Sequence, residues 1–201
     1  NEQLKTQLIL NENIVGELEQ LKGVLDLAGQ AKFKVVPARV ITRGGTATFG
    51  ETIVIDKGSS AGIKRDMTVI ATSGLVGVVK STTTNSSVIL LMSDPSFRVG
   101  VRVAGTQDMG ILSGGGDNRF TIQMLSATGQ IKVGDVLLSR GSSGDRPFVP
   151  GVPVGKVSFV ESSAGQLTKQ GRVEGFVDLD GLGVVSVVLN AVAGDPGEAL
   201  V

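Results

Sequence analysis

Few residues of this chain have the side-chain chemistry that catalysis usually requires. The 201 residues contain no histidine and no cysteine. A Ser-His-Asp triad cannot form within the chain, because its serine needs a histidine as base. Thiol chemistry and disulfides are also excluded, and a zinc site would have carboxylates alone as side-chain ligands. No Ser-x-x-Lys motif stands out as a serine-lysine pair, so the common nucleophilic mechanisms find no support.

Carboxylates are the remaining candidates for acid-base chemistry. Two of them can in principle catalyse the hydrolysis of a glycosidic bond. The candidates are Glu51, Asp56, Asp66, Asp94, Asp117 and Asp135. Most stand beside glycine, proline or asparagine, where an aspartate side chain typically caps a turn. We therefore expect these residues to stabilise turns rather than to form a catalytic pair.

Two glycine-rich stretches invite comparison with phosphate-binding loops. They are Gly114-Gly115-Gly116 and Gly141-Ser142-Ser143-Gly144. Neither leads into a helical pattern, and neither carries the Gly-Lys-Ser/Thr ending of such a loop. We interpret both as turns, the first as the tip of a hairpin.

The charge pattern gives no indication of a nucleic-acid partner. Basic and acidic residues number 19 each, so the formal net charge is zero. Arg98 and Arg102 form a small basic ridge without interleaved aromatic residues, which favours a solvated strand face. The whole inventory predicts a binding or scaffolding protein that is not an enzyme and that uses no metal or cofactor.

The first 31 residues have the pattern of an amphipathic helix. Its apolar positions alternate spacings of four and three residues, which is the repeat of a coiled-coil seam. The predicted self-association seam comprises Leu4, Asn11, Ile14, Leu18, Leu21 and Leu25. An asparagine on a seam, here Asn11, can fix register and partner number. We predict a coiled-coil helix over residues 1–33; the alternative is a helix that packs on its own domain.

Beyond the helix, the composition favours short strands joined by tight turns. The chain has 29 glycines, 7 phenylalanines and neither tryptophan nor tyrosine. Roughly a dozen short apolar runs follow, more than one small barrel needs, and helical periodicity does not return. We predict a mainly β protein with two small β-barrel-like domains, residues 34–106 and 107–193. The last strand, near residues 184–192, closes the second domain or returns to the first, and residues 194–201 form a tail.

An internal echo supports the division into two units. The Ile-Lys pairs at residues 63–64 and 131–132 each precede a strand. Glycines at both ends of residues 74–77 and 151–155 then mark the entry into the next strand. Because only two copies exist at a long period, a chance match is the alternative.

Short motifs recur in a fixed order along most of the chain. They are Ala38-Arg39-Val40-Ile41; Ile53-Val54-Ile55-Asp56-Lys57-Gly58 with Gly62; Gly74-Leu75-Val76-Gly77-Val78-Val79; Ser87-Val88-Ile89-Leu90-Leu91 with Asp94; Gly134-Asp135-Val136; and Gly141-Ser142-Ser143-Gly144 running to Phe148-Val149-Pro150-Gly151-Val152-Pro153-Val154-Gly155-Lys156-Val157. The ordered set resembles the rod-shape-determining MreC family. Val149 departs from the family pattern, which more often runs Phe-Pro directly into Gly.

The resemblance implies a location, a role and a set of partners. Members of the family have a cytoplasmic N-terminus, one membrane-spanning helix, a coiled coil and two β-barrel-like domains on the extracytoplasmic face of the bacterial cytoplasmic membrane. They are non-enzymatic scaffolds of the cell-wall elongation machinery and form dimers or filaments. Their partners are a class B penicillin-binding protein with its SEDS glycosyltransferase, and the MreD and MreB system. Membrane attachment would use an N-terminal segment absent from this chain, which starts without methionine.

Two alternatives stay open at this point. Adaptors of export or efflux assemblies also combine a coiled coil with β-domains, although they need a helical hairpin and one helical segment is visible here. An enzyme with an unusual site on a double-barrel, protease-like architecture is disfavoured by the absence of histidine. The partner-binding surface is expected among apolar residues left exposed on a β-unit or between the two units.

Overall fold

The computed structural model describes residues 33–46, 50–106, 108–126, 129–143, 147–161 and 168–190. The predicted coiled-coil seam, Leu4 to Leu25, and the tail at residues 194–201 lie outside the described residues.

Twelve strands account for most of the described chain. They are β1 (Lys34–Thr46), β2 (Gly50–Ile55), β3 (Thr68–Ala71), β4 (Gly74–Thr82), β5 (Ser87–Leu91), β6 (Arg98–Val103), β7 (Met109–Gly114), β8 (Phe120–Met124), β9 (Val136–Ser139), β10 (Pro153–Glu161), β11 (Gln170–Gly175) and β12 (Val184–Asn190). A single 3-10 turn, Ser59–Ala61, lies between β2 and β3.

The first barrel closes in the order β1-β12-β3-β4-β5-β2. Its long first strand, β1, pairs with β12 through residues 34–39 and with β2 through residues 40–46. Ile53 and Ile55 of β2 point inward as their alternation predicts, and both are fully buried. The last strand thus returns to the first barrel, where it pairs with β1 and β3.

The second barrel closes in the order β10-β11-β8-β7-β6-β9. The predicted division at residue 106 places β6 in the first unit, but β6 pairs with β7 and β9 of the second. The boundary was drawn from local sequence, whereas barrel membership depends on distant pairing partners. The two predicted barrels are confirmed, and the second is an insertion between β5 and β12 of the first.

One contiguous hydrophobic core runs through both barrels. Phe97, which enters β6, and Phe148 meet edge to face at the junction, with ring centroids 5.4 Å apart. Fully burying one large aliphatic side chain contributes about 1.5–3 kcal/mol, so a shared core couples the barrels energetically as well as covalently.

The internal echo corresponds to a shared local structure. In the first barrel, the Val79 amide donates to the Met67 carbonyl, and the Asp66 amide donates to the Val79 carbonyl. In the second, Val157 makes the same pair of bonds with Asp135 and Gly134. A register shift follows at Val79/Ser81 of β4 and at Val157/Phe159 of β10. The two copies therefore hold equivalent positions in their barrels.

Candidate functional site

Glu51 of the first barrel lies at the centre of a polar contact with the second. Its carboxylate accepts hydrogen bonds from the Ser93 hydroxyl and, at 3.2 Å, from the Asp117 amide. Ser93 belongs to the first crossing between the barrels, residues 92–97, and Asp117 lies in the turn between β7 and β8. The Ser93 carbonyl also accepts from the Gly116 amide at 2.9 Å. One side chain of β2 thus holds both the crossing and a turn of the inserted barrel.

Asp94 stabilises the same crossing through hydrogen bonds from a buried position. This residue is 3% exposed, and its carboxylate accepts from the Glu51 amide and from the Ser96 amide, each at 2.7 Å. Burial opposes ionisation, but the hydrogen bonds from Ser96 and Glu51, together with the positive charge of Lys80, outweigh it and hold the pKa below its usual value of 3.8. Asp94 is therefore a buried carboxylate that stays ionised.

The second crossing, residues 176–183, is held by an ion pair. Arg43 of β1 lies 2.8 Å from Asp180 and donates to the Leu179 carbonyl at 2.6 Å. The other Asp180 oxygen accepts from the Asn118 side chain at 2.9 Å. Asp180 is 72% exposed and Arg43 39%. An ion pair this exposed to solvent contributes only about 0–1 kcal/mol to the free energy of unfolding.

Together these groups form the polar side of the barrel junction, comprising Arg43, Glu51, Ser93, Asp94, Asp117, Asn118 and Asp180. Five of them, Arg43, Glu51, Asp117, Asn118 and Asp180, border a cleft of about 340 Å³. Asp117 and Asn118 have left-handed backbone conformations, with φ of 49° and 56°. Aspartate and asparagine tolerate this conformation better than most residues do, which lets the turn present the Asp117 amide to Glu51.

The apolar side of the junction is built from backbone and small residues. The Thr68 hydroxyl donates to the Pro147 carbonyl at 2.9 Å and accepts from the Val149 amide at 3.0 Å. A Cβ on Gly74, whose φ is +153°, would overlap the Pro153 carbonyl oxygen. Only glycine lets β4 and β10 approach this closely. Since backbone meets backbone here, the contact has little freedom to adjust.

The second barrel exposes an apolar outer face. We use this name for Met109 and Ile111 of β7 with Leu125, which follows β8; they are 39%, 38% and 58% exposed. The Leu125 amide donates to the Met109 carbonyl, so the two side chains are cross-strand neighbours. Beside Ile111 in the register lies Gly100 of β6, where an added Cβ would meet nothing within 4 Å. No residue in the described part of the chain covers this position beside Ile111.

The predicted solvent-exposed ridge of Arg98 and Arg102 does not form, because Arg102 is buried. Arg98 is exposed, but Arg102 is 5% exposed although Val101 and Val103 occupy the interior side of the strand. Its register partners are Met109 and Leu138, and an arginine stem packs well along apolar side chains. The prediction of a solvated face is therefore wrong at Arg102, because the cover supplied by neighbouring strands was not visible in the sequence.

The candidate carboxylates separate into two groups. Glu51, Asp94 and Asp117 gather at the polar side of the junction. Asp135 accepts from the Lys132 amide three residues earlier and stabilises a local turn as predicted, whereas Asp56 accepts from the Arg39 amide of β1, a contact between neighbouring strands. Asp66 lies in a tight turn with φ of 60°. Three carboxylates thus converge through tertiary structure, and Ser93, the hydroxyl that holds one of them, has no distinguishing sequence signal.

Clusters of metal ligands and membrane-spanning helices are both absent from the described ranges. Within them, no group of three or more His, Cys, Asp or Glu side chains is arranged to hold a metal ion. The same part of the chain has no helix with the length and apolar character needed to span a bilayer.

The fold defines a class of protein in which one six-stranded β-barrel is inserted into another. Residues 40–189 match the profile described as "Rod shape-determining protein MreC, barrel core". The chain belongs to this bacterial cell-shape-determining family, which confirms the resemblance found in the sequence motifs and favours it over the adaptor hypothesis.

Relatives agree with this assignment. The cell shape-determining protein MreC of Listeria monocytogenes is 30% identical over 178 residues, covering 86% of this chain and 59% of that protein. The chain spans about three-fifths of the length of the curated relatives it matches. A solved MreC structure has a TM-score of 0.78 at 27% identity and covers 87% of this chain and 98% of its own.

A further solved structure shares the fold at lower identity. It is a complex between a penicillin-binding protein and MreC from Helicobacter pylori. The TM-score is 0.60 at 16% identity, with 79% of this chain and 99% of that chain covered. At this identity the likeness concerns the fold alone.

Proposed function

We propose that this chain is the extracytoplasmic part of a non-enzymatic scaffold in the machinery that elongates the bacterial cell wall. The scaffold maintains rod shape by self-association and by binding membrane and wall-synthesis partners. Membership of the family supports the role in cell shape. The observation that carries the binding role is the apolar outer face, which an energetically coupled pair of barrels holds in a defined position.

The partner that fits best is a class B penicillin-binding protein. Neighbouring exposed apolar residues mark surfaces that bind other proteins, and the strand register places Met109, Ile111 and Leu125 next to each other. The Helicobacter pylori complex supports the choice, because it contains a chain of this fold together with a penicillin-binding protein. MreD and the MreB system are further partners, on the basis of family membership.

The penicillin-binding protein is tested by a charge placed on the outer face. The double variant Met109→Asp with Leu125→Asp is expected to weaken binding at least tenfold, because each carboxylate would have to be desolvated in the interface. Affinity is measured by surface plasmon resonance with the class B penicillin-binding protein of the same bacterium. Ile41→Asp, at a 61% exposed site of the first barrel, is the matched control.

Equal affinities for the wild type and the double variant would contradict a contact through this face. Equal loss in Ile41→Asp would show that added negative charge, rather than the position of the face, weakens binding. Unfolding midpoints of all three proteins are compared to establish that the barrels stay folded.

We propose that self-association uses the coiled-coil seam and yields a homodimer or a filament. Leu18→Asp and Leu21→Asp place a charge on the seam and are expected to dissociate the assembly. Sedimentation velocity measures the assembly, and circular dichroism measures whether the β-structure persists. Loss of the β-signal in these variants would show instead that the helix packs on its own domain.

A further inference from the structure

The junction between the barrels has two sides that differ in how they can move. On the apolar side, Gly74 packs against the Pro153 backbone and the buried Thr68 hydroxyl bonds to two backbone groups. Partly separating these groups would leave buried polar atoms without hydrogen-bond partners, and fully separating them would expose apolar area, so either movement is costly. The apolar side therefore acts as a fixed edge.

On the polar side, water can replace the contacts that cross from one barrel to the other. The Asp117 amide and the Asn118 side chain reach carboxylates through solvent-exposed hydrogen bonds. A hydrogen bond lost to solvent on both partners costs only about 0.5–1.5 kcal/mol net. The contacts are also close together, since Gly116, Asp117 and Asn118 are consecutive.

Those three residues are the second barrel's share of the polar contact. Gly116 donates to the Ser93 carbonyl, Asp117 to Glu51 and Asn118 to Asp180. Their partners lie on the first crossing, on β2 of the first barrel and on the second crossing. One turn therefore engages both crossings and the body of the first barrel at once.

We propose that the turn between β7 and β8 is a latch that sets the angle between the barrels, opening about the apolar side when Glu51 releases it. In the closed state the barrels have one relative orientation. In the open state the hydrogen bonds to Ser93, Glu51 and Asp180 are replaced by water, while Gly74 and Thr68 keep their contacts. The latch involves only contacts within this chain. Its test is therefore independent of the proposed function and of the identity of any partner.

The absence of native cysteine makes the angle directly measurable. Cysteines at the exposed positions Thr84 of the first barrel and Lys132 of the second carry nitroxide labels, and pulsed electron paramagnetic resonance gives their distance distribution. The full chain is expected to show one narrow distribution. Glu51→Ala is expected to add a second, shifted population, because it removes the acceptor of the Ser93 and Asp117 bonds.

Asp117→Asn is the matched control. It removes one negative charge from the same turn but keeps the amide that donates to Glu51, so its distribution should match the wild type. A wild-type distribution in Glu51→Ala would overturn the proposal, and so would an equal change in Asp117→Asn.

Hydrogen exchange separates a latch from a general support of the fold. In Glu51→Ala and in the milder Ser93→Ala, amides of residues 115–118 are expected to exchange faster while Val79 and Val157 keep their protection. Uniform loss of protection in both barrels would overturn the proposal, since the polar side would then be part of the global fold.

Discussion

The two six-stranded barrels share the same turn hydrogen bonds and register shifts, but they differ in how many apolar side chains they expose. Among the described residues of the first barrel, Ile41 is the large hydrophobic side chain that is clearly exposed. The second barrel and the crossing that leaves it expose Met109, Ile111, Leu125, Val133, Val136, Phe159 and Phe176. Since both barrels are equally well closed, the exposed apolar area of the second is not a consequence of its architecture.

Equivalent positions sharpen the contrast. The turn before β3 carries Arg65 where the turn before β9 carries Val133, and both turns make the same backbone hydrogen bonds. At the matching register shifts, β4 has Ser81 and β10 has Phe159. In both pairs the first barrel has the polar residue and the second the apolar one. The shared fold thus carries polar side chains at these positions of the first barrel and apolar side chains at those of the second.

The largest effect is expected from truncating the core of either barrel. Ile89→Ala in the first and Leu112→Ala in the second should each lower the free energy of unfolding by about 2–5 kcal/mol. Because the core is contiguous, urea denaturation should show one transition in both variants. Thr121→Ala, on the exposed face of β8, is the control. Two separated transitions in Leu112→Ala would show that the barrels are energetically independent.

The next effect distinguishes the two crossings. Asp94→Asn leaves buried amides without full acceptors and should cost about 1–3 kcal/mol, whereas Asp180→Asn at its exposed site should cost at most about 1 kcal/mol. The pKa of Asp94 is lowered in the folded state, so its contribution is fully present above the unfolded pKa. It is lost as the pH falls through the folded pKa.

Urea unfolding measured from pH 7 down to pH 2 checks this prediction. The wild type should lose stability at the acid end more steeply than Asp94→Asn, which lacks the titrating group. An identical pH profile in the two proteins would contradict the assignment.

A smaller effect is expected where the surfaces differ at the register shift. Arg172 lies 4.4 Å over the ring of Phe159, and such a contact contributes about 0.5–1 kcal/mol at an exposed site. Phe159→Ser gives β10 the residue found on β4 and should lose about this amount of stability. The converse change, Ser81→Phe, places the new ring opposite Val88 and not opposite an arginine, so it should gain no stability from such a contact. Thermal unfolding of both variants measures these changes in stability. A higher unfolding midpoint in Ser81→Phe than in the wild type would contradict the prediction.

The smallest stability effect is expected at the matched turns. Val133→Arg and Arg65→Val exchange the exposed residues of equivalent positions, and each should change stability by less than about 0.5 kcal/mol. Affinity for the proposed penicillin-binding partner is the discriminating measurement. If the partner binds the second barrel, Val133→Arg should weaken binding and Arg65→Val should not. Equal affinities across both variants would confine the contact to the outer face of β7.

Local chemistry made several features readable in advance. In β6, the alternation of Phe97, Val99, Val101 and Val103 along the sequence indicates the buried face, since successive strand residues point to opposite sides. The hairpin tip at Gly114-Gly115-Gly116 and the turn aspartates followed from the backbone preferences of glycine and aspartate. The number of short strands predicted two barrels, and the order of the motifs identified the family.

Tertiary structure alone decided which strands share a barrel and which polar residues meet. The return of β12 to β1, the transfer of β6 to the second barrel and the burial of Arg102 all depend on partners far away in the chain. So does the junction, where Glu51 meets Ser93 and Asp117. Side-chain alternation records which face of a strand is buried, but it carries no label for the neighbouring strand. Pairing is settled only when both barrels close around one core.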